Sequence, residues 1–520
     1  MCAERSDSSV FAAGTKLAHA ESVLHPRAVI GALLFFAARV SAQAHPLSLS
    51  EAVALAVRQN PALAAAGAEL EAARGAIVAA RGLDDPVLTA STSLRATRRS
   101  WVPGEPVQDR AVSEIGAELS LRQPLPIGGR VGLSLQGAYG ETRYEAELAD
   151  ATRRGSTSAQ YSPAVQLSLE QPLLRGFGVD VARADRRRAT LRRDLASAER
   201  EGLAAALLRD VISGYWGLAH ALRELELRRA SVAAAKEQLA RVQANISVGK
   251  LPMSATAEIE VAIALREDSV LAAQLGVTRR ELSLGRSCGL PVGERLASVE
   301  PLPRIDPEAP ASYQLSATLA RALAHNPQLQ AARAEARARG VELEVTEDGL
   351  LPQLDVAIAG GPVGNASSSR AAYEQLVGLG SYLVMANLEL TLPLGRHAAR
   401  GTRDAAREGL RKAQLTAADL AGQITMGVAE SVATLETARR RAAVLMPSLD
   451  AADLDLESER ARFDAGRSSN FDVLRRQDAV AGIQLSLLSA QLASLQAGAD
   501  LDALTGDIFD RHGVRLRGAE

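Results

Sequence analysis

The chain contains one long unit twice, and the two copies are out of step. Asn60-Pro61, within LSLSEAVALAVRQNPAL, returns 266 residues on as Asn326-Pro327 within YQLSATLARALAHNPQL. Pro86 and Leu88 return at the same offset as Pro352 and Leu354. A second set of segments matches at an offset of 217: Gly249 with Gly466, Ala273-Gln274-Leu275 with Ala490-Gln491-Leu492, and Gly289 with Gly506. A repeat of this length describes an architectural element built twice rather than one catalytic pocket. The two offsets differ by 49 residues, so the first copy carries an excess between Pro86 and Gly249. Gln123-Pro124-Leu125 recurs as Gln171-Pro172-Leu173, which identifies that excess as one added β-hairpin.

Hydrophobic periodicity divides each copy in the same order. Ser50 to Arg81 reads as a helix with Ser50 as its N-cap, stopped by Gly82 and Pro86. Apolar and polar residues then alternate at Ile115–Leu121, Val131–Gln136 and Val165–Glu170, and more weakly at Leu88–Arg95, which predicts four strands. A long helix follows to Val248, its seam Val211, Leu218, Leu225, Val232, Leu239 and Ile246 falling every seven residues. Gly249 to Pro252 break it, and a shorter helix runs from Met253 to Cys288. The second copy predicts a helix over Ser316–Gly349, two strands at Gln353–Ala359 and Tyr382–Leu392, and a long helix over Arg396–Phe463. The seam of that helix, Val428 to Phe463, repeats the first at 217, and Pro447 is expected to interrupt and kink it. A helix over Asn470–Leu504 completes the unit. In each copy the two shorter helices, placed end to end, match the long one. Such matching suits a cylinder of uniform height, roughly 100 Å for a 69-residue helix at 1.5 Å per residue.

Composition removes several function classes. The net charge of −2 gives no argument for nucleic acid, and two cysteines are too few for a disulfide framework. The histidines at 45, 220, 325, 397 and 512 have no metal-ligand spacing. Neither Gly128-Gly129-Arg130 nor Gly360-Gly361 has a phosphate-loop lysine or a dinucleotide-binding context. No cofactor, metal or catalytic constellation is expected. Arg27, the apolar run Ala28–Ala38 and Ala42-Gln43-Ala44 predict an export signal with cleavage after Ala44. No later run of 18 apolar residues predicts a membrane-spanning helix.

The segments LSLSEAVALAVRQNP, QPLLRGFG, VGKLPMSATAEIEVA and FDAGRSSNFDVLRRQDA, in that order, resemble the TolC-like outer-membrane efflux protein family over about residues 47–506. The resemblance implies an α+β fold of mainly long α-helices built from a duplicated helix–strand–helix unit. Three copies would form an α-helical periplasmic tunnel topped by a shared transmembrane β-barrel. The expected divisions are a leader over 1–44, a first repeat over 45–300 with the extra hairpin at about 123–171, a Pro-rich linker over 301–312, a second repeat over 313–508 and a tail over 509–520. The implied partners are a homotrimer, a periplasmic adaptor, an inner-membrane pump and outer-membrane lipid. The implied function is a passive exit duct of a tripartite efflux or type I secretion system, and not an enzyme.

The same resemblance assigns candidate sites. Asp472 matches an acidic gate position and Phe463 an aromatic one beside it, while Arg475 stands where the family often has a second acid. Asp472 is equally readable as a helix N-terminal charge. The turns at Gly249, Leu251 and Ser254, and at Gly466, Ser468 and Ser469, are the expected adaptor contacts. Glu118, Gln136, Glu170, Asp355 and Glu389 are expected to face a barrel lumen. Family barrels take four strands per subunit. Six are counted here, and the extra hairpin fits either inside the wall or outside it. Aromatic residues near the strands are few, Trp101, Tyr139, Tyr161 and Tyr382 among them, so Leu and Val must supply a lipid-facing band. A non-transporting periplasmic coiled-coil scaffold is the rival reading, supported by the heptad seam.

Overall fold

The computed structural model describes residues 45–99, 109–147, 153–249, 251–292, 296–298, 300–307 and 313–516. The leader with its export signal, Trp101 and the linker residues 308–312 lie outside these.

The first copy runs β1 (His45–Leu47), α1 (Leu49–Gln59), α2 (Pro61–Arg81), β2 (Val87–Arg99), β3 (Asp109–Pro124), β4 (Arg130–Glu147), β5 (Arg153–Pro172), a short α3 (Val179–Ala182), α4 (Ala184–Ser247) and α5 (Ala255–Cys288). A strand β6 (Leu296–Ser298) pairs in parallel with β1. The second copy runs α6 (Leu315–His325), α7 (Pro327–Asp348), β7 (Gln353–Pro362), α8 (Ser369–Val377), β8 (Tyr382–Thr391), α9 (His397–Asp464) and α10 (Asn470–Thr505), and closes on α11 (Ile508–Arg511).

Four sequence expectations need correction. The helix expected over Ser50–Arg81 is two helices, broken at Asn60, and its N-cap is Ser48 rather than Ser50. Asn60 has extended backbone (φ −68°, ψ 119°), and its Oδ1 accepts from the N–H groups of Ala62 and Leu63 while Pro61 opens α2. Asn326 likewise divides the helix expected over Ser316–Gly349 into two, capping α7 by accepting from Leu329 N–H. Finally, Pro447 does not interrupt α9, which is helical from His397 to Asp464. Pro447 removes one backbone donor, and the hydroxyl of Ser448 donates to Val444 O at 2.7 Å just beside it.

Helix contacts give a four-column slab. The stacked pair α2 and α5 packs on α4; α4 packs on the stacked pair α7 and α10; that pair packs on α9. The 21- and 34-residue helices stand beside the 64-residue α4, and the 22- and 36-residue helices beside the 68-residue α9. The remaining height is the joint between stacked helices, with α1 and α6 packed alongside it.

The joint is built identically in both copies. Asn60 Nδ2 donates to Ser287 O at 3.1 Å and Asn326 Nδ2 donates to Leu504 O at 3.1 Å. One residue pair lies 266 apart and the other 217 apart, so the two unequal offsets meet in a single contact. Gly289 and Gly506 end the lower helices in left-handed conformation (φ 75° and 80°), as the chain must turn away where the upper helix begins.

The seam residues face inward as the sevenfold spacing requires: Val211, Leu218, Leu225, Val428, Ala442, Leu456 and Phe463 are all buried. They serve three cores. One, around Tyr215 and Trp216, joins α1, α4 and α5 and receives Ile508, Phe509 and Val514, residues near the boundary of the expected tail. The second, around Leu329 and Val428, sits at the joint of the second copy; the third, around Ile259, Phe463 and Val473, sits at the end of the slab far from the sheet. Among the described residues one helix, α10, is long and apolar enough in composition to cross a membrane. It packs between α4 and α9, with most of its apolar stretch left uncovered within one copy.

Candidate functional site

The six long strands form one sheet in the order β2-β3-β4-β5-β7-β8, antiparallel throughout, so the extra hairpin joins the same sheet as the rest. Its register sorts side chains onto two faces. Leu88, Leu121, Leu133 and Leu167 form one row across four strands; Leu94, Ile115, Tyr139 and Tyr161 form another, three residue pairs higher. The rings of Tyr139 and Tyr161 lie 4.9 Å apart there. One step beyond, on the same face, Glu141 and Arg143 form an ion pair at 2.8 Å. From Val131 to Tyr139 the apolar stretch of β4 rises roughly 20 Å at a strand tilt of ~40°, close to the ~25 Å band of a membrane barrel.

This apolar face is the exposed one. Leu94 is 80 % exposed, Leu133 42 % and Leu388 65 %, and no residue of the six strands belongs to any of the three cores. On the opposite face of the central strands Ser120 is buried and Ser134, Gln136 and Ser168 are half-buried. A sheet in water does the reverse, since exposing apolar area costs about 25 cal/mol per Å². The inversion is what a barrel wall in lipid requires.

All five expected lumen residues lie on the polar face. Glu118 stands opposite Gln136 and Asp355 opposite Glu389. Glu170 stands opposite Arg130, with their side chains 2.7 Å apart. Register, which no single strand's sequence reveals, brings these pairs together.

At the other end of the slab, two turns join long helix to short. Gly249 and Gly466 both take left-handed backbone (φ 74° and 71°), and beyond them the turns differ. Ser469 caps α10 in a capping box: its Oγ accepts from Asp472 N–H at 3.2 Å and donates to Asp472 Oδ2 at 2.6 Å. Ser469 holds the Asp472 carboxyl below the usual aspartate value, through its hydroxyl first and its backbone N–H second. Ser468 donates to the buried Glu459. Ser254, in contrast, is exposed and makes no cap bond. Arg475 is exposed; Phe463 is buried in the end core, against which Leu251 packs.

Sequence reading passed over the residues most available at this end. Met253 is 79 % exposed, and Val248 and Phe471 are exposed as well. Apolar residues beside a glycine-marked turn were the signal. Just above the turns, Arg266 of α5 reaches across the slab, donating to Ser231 O at 3.0 Å, Gln477 Oε1 at 3.0 Å and Asp478 Oδ1 at 2.6 Å. Gln477 is buried, so Arg266→Leu should strand its amide and cost about 1–3 kcal/mol. Hydrogen exchange should then quicken in the lower half of α10 while the joint stays protected.

Among the described residues no group of three or more His, Cys, Asp or Glu could hold a metal ion.

Comparison with known proteins agrees with this geometry. The profile of the family described as outer membrane efflux protein matches residues 318–507, essentially the second copy. That match spans 190 of the chain's 520 residues. Solved structures share the fold at low identity. The outer-membrane channel OprN is 14 % identical with a TM-score of 0.62, over 88 % of this chain and 89 % of that one. The outer membrane protein VceC of Vibrio cholerae is 16 % identical, TM-score 0.62, over 88 % and 96 %. The open state of the Neisseria gonorrhoeae outer membrane channel MtrE is 16 % identical, TM-score 0.60, over 88 % and 88 %. No curated protein matches the sequence.

Proposed function

We propose that this chain is one third of a passive exit duct, closed by three copies, that carries solutes from an inner-membrane pump and its periplasmic adaptor to the outside. The observation that carries the reading is the inverted sheet, apolar face out and polar face in, on top of a slab of long helices. The slab has two unlike flanks. One ends in β2 and in α5, with exposed Val261, Leu265, Leu271, Leu275 and Leu282; the other ends in β8 and in α9, with exposed Leu415, Met426, Val444 and Leu454. Head-to-tail packing of unlike flanks closes a ring, covers both apolar stripes and pairs the two open strand edges, which lipid does not tolerate. A water-soluble coiled-coil scaffold leaves the sheet's apolar face without a partner.

No step of bond chemistry is assigned to the chain, and the energy for transport belongs to the pump. Purified protein in planar bilayers is expected to conduct as a trimer; a water-soluble monomer that neither inserts nor conducts sinks the reading.

The periplasmic end is the proposed constriction and docking site. Three Asp472 carboxylates would converge there, with Arg475 beside them and Phe463 supporting the turn from within. Asp472→Ala is expected to weaken block of the conductance by multivalent cations applied from that side. Within one chain Ser469 depresses the Asp472 pKa, so the carboxylate is charged at neutral pH. The same sign applies to its capping role, which is present above the ordinary aspartate pKa and lost only as pH falls through the depressed one.

Docking of the adaptor is assigned to the turns at Gly249, Leu251 and Ser254 and at Gly466, Ser468 and Ser469, with Met253 and Phe471 as the apolar knobs. Met253→Ser with Phe471→Ser, which adds no charge at the constriction, should abolish adaptor capture while the protein still inserts and conducts. Retained capture removes the knobs from the contact.

A further inference from the structure

The added hairpin bears on the width of the exit. The hairpin β2–β3 and the hairpin β4–β5 are copies of each other in their anchoring as well as their sequence. Gln123 Nε2 donates to Asp84 O, at the foot of its own hairpin, at 2.8 Å and to Pro124 O at 3.0 Å. Gln171 Nε2 donates to Ile127 O, likewise at the foot of its own hairpin, at 3.3 Å and to Pro172 O at 2.9 Å. Both hairpins rise from the same level, and the row Leu88, Leu121, Leu133 and Leu167 runs through them unbroken. A decoration outside the wall would have no reason to keep the inside–outside alternation of the wall.

Circumference points the same way. Strands 4.8 Å apart and tilted ~40° each take up about 6 Å of a barrel's girth, so eighteen strands enclose roughly 110 Å and twelve roughly 75 Å. Three slabs of four columns give twelve helices side by side, and at ~9 Å per helix these also enclose roughly 110 Å.

We propose that the duplicated hairpin is part of the barrel wall, so that three copies close an eighteen-stranded barrel as wide as the helical tunnel beneath it. The proposal rests on the trimeric-duct reading above. Its consequence is that bulky polar solutes, up to the width of the tunnel, leave without a second narrowing at the membrane. Selection by size then falls to the periplasmic end alone.

Two experiments test it on the full-length protein in lipid. In a background free of Cys2 and Cys288, Glu118→Cys and Gln136→Cys should react with a water-borne polyethylene-glycol maleimide entering from the barrel mouth. Leu119→Cys and Leu135→Cys, their neighbours on the other face, should react only with a lipid-soluble maleimide. Equal reaction of all four with the water-borne reagent places the hairpin outside the wall and overturns the proposal. In the second experiment, splicing Pro124 to Leu173 removes one hairpin and leaves β3 where β5 meets β7. Polyethylene glycols added from the barrel side should then be excluded at a radius about one third smaller, as for twelve strands against eighteen. An unchanged cut-off overturns the proposal, and if the spliced chain does not assemble the labelling decides. Failure of the duct reading looks different: the intact protein carries no current at all, and both proposals fall together.

Discussion

Leu133→Arg should abolish assembly in the membrane, whereas Ser134→Arg, the next residue of the same strand, should be tolerated. Leu133 sits in the four-leucine row of the exposed face, and Ser134 points to the other face opposite Ser120 and Gln166. An arginine in the middle of a lipid-facing band costs about 2–4 kcal/mol. Three copies in one assembly multiply the penalty, so the loss should be complete rather than graded. On the lumen side the same arginine stays in water, and its effect should appear instead as a shift of the conductance toward anions. The readouts are the fraction of heat-resistant trimer after reconstitution and the reversal potential in a salt gradient. Equal tolerance of both arginines means that the two faces have been assigned wrongly.

The second large effect is expected at the joint. Gly289→Val should destabilise the chain by about 2–4 kcal/mol. Left-handed backbone costs a residue with a side chain about 1–2 kcal/mol, and more for a β-branched one. A Cβ at Gly289 would also stand 2.8 Å from Gln59 O and 3.0 Å from Gln59 C, both backbone atoms that no rotamer can move. Gly506→Val carries the same backbone cost (φ 80°), but its Cβ would meet His325 O only at 3.4 Å, an ordinary contact. The first substitution should therefore lower the unfolding midpoint clearly more than the second. Equal losses would mean that left-handed strain alone accounts for both. Asn60→Ala offers a check by a different route, because it removes two cap acceptor contacts and the bond to Ser287 O without adding bulk.

Much of this architecture is written in short-range patterns. The seam at Val211–Ile246 foretells which side of α4 is buried, because sevenfold spacing fixes a helix face whatever the neighbour. The alternation of Ile115, Ala117, Leu119 and Leu121 foretells a two-faced strand for the same reason. The break at Asn60-Pro61 was visible as a motif, yet its meaning was not. Asn60 caps the next helix through local bonds to Ala62 and Leu63, but its amide also ties the joint to Ser287 O, 227 residues away, which no local pattern shows. Pro447 misled in the opposite direction. A single missing donor is tolerated in a helix 68 residues long whose packing holds it on both sides of the proline.

At the periplasmic end the sequence located the turns through Gly249 and Gly466, since left-handed backbone favours glycine. It did not separate Asp472 as a gate from Asp472 as a cap. The capping box with Ser469 accounts for the helix end, whereas the proposed gate would require three chains to meet.

The sequence by itself determined the duplication, the order of elements, the six strands and the polarity of each strand, because these depend on residues a few positions apart. Only the tertiary structure decided that all six strands share one sheet, that their apolar sides face outward together, and that the two offsets meet at the Asn60 and Asn326 joints. The physical reason is register. A strand's alternation fixes two faces but not which is outside, and a helix seam fixes a buried side but not its partner. Both choices are made by contacts between residues hundreds of positions apart.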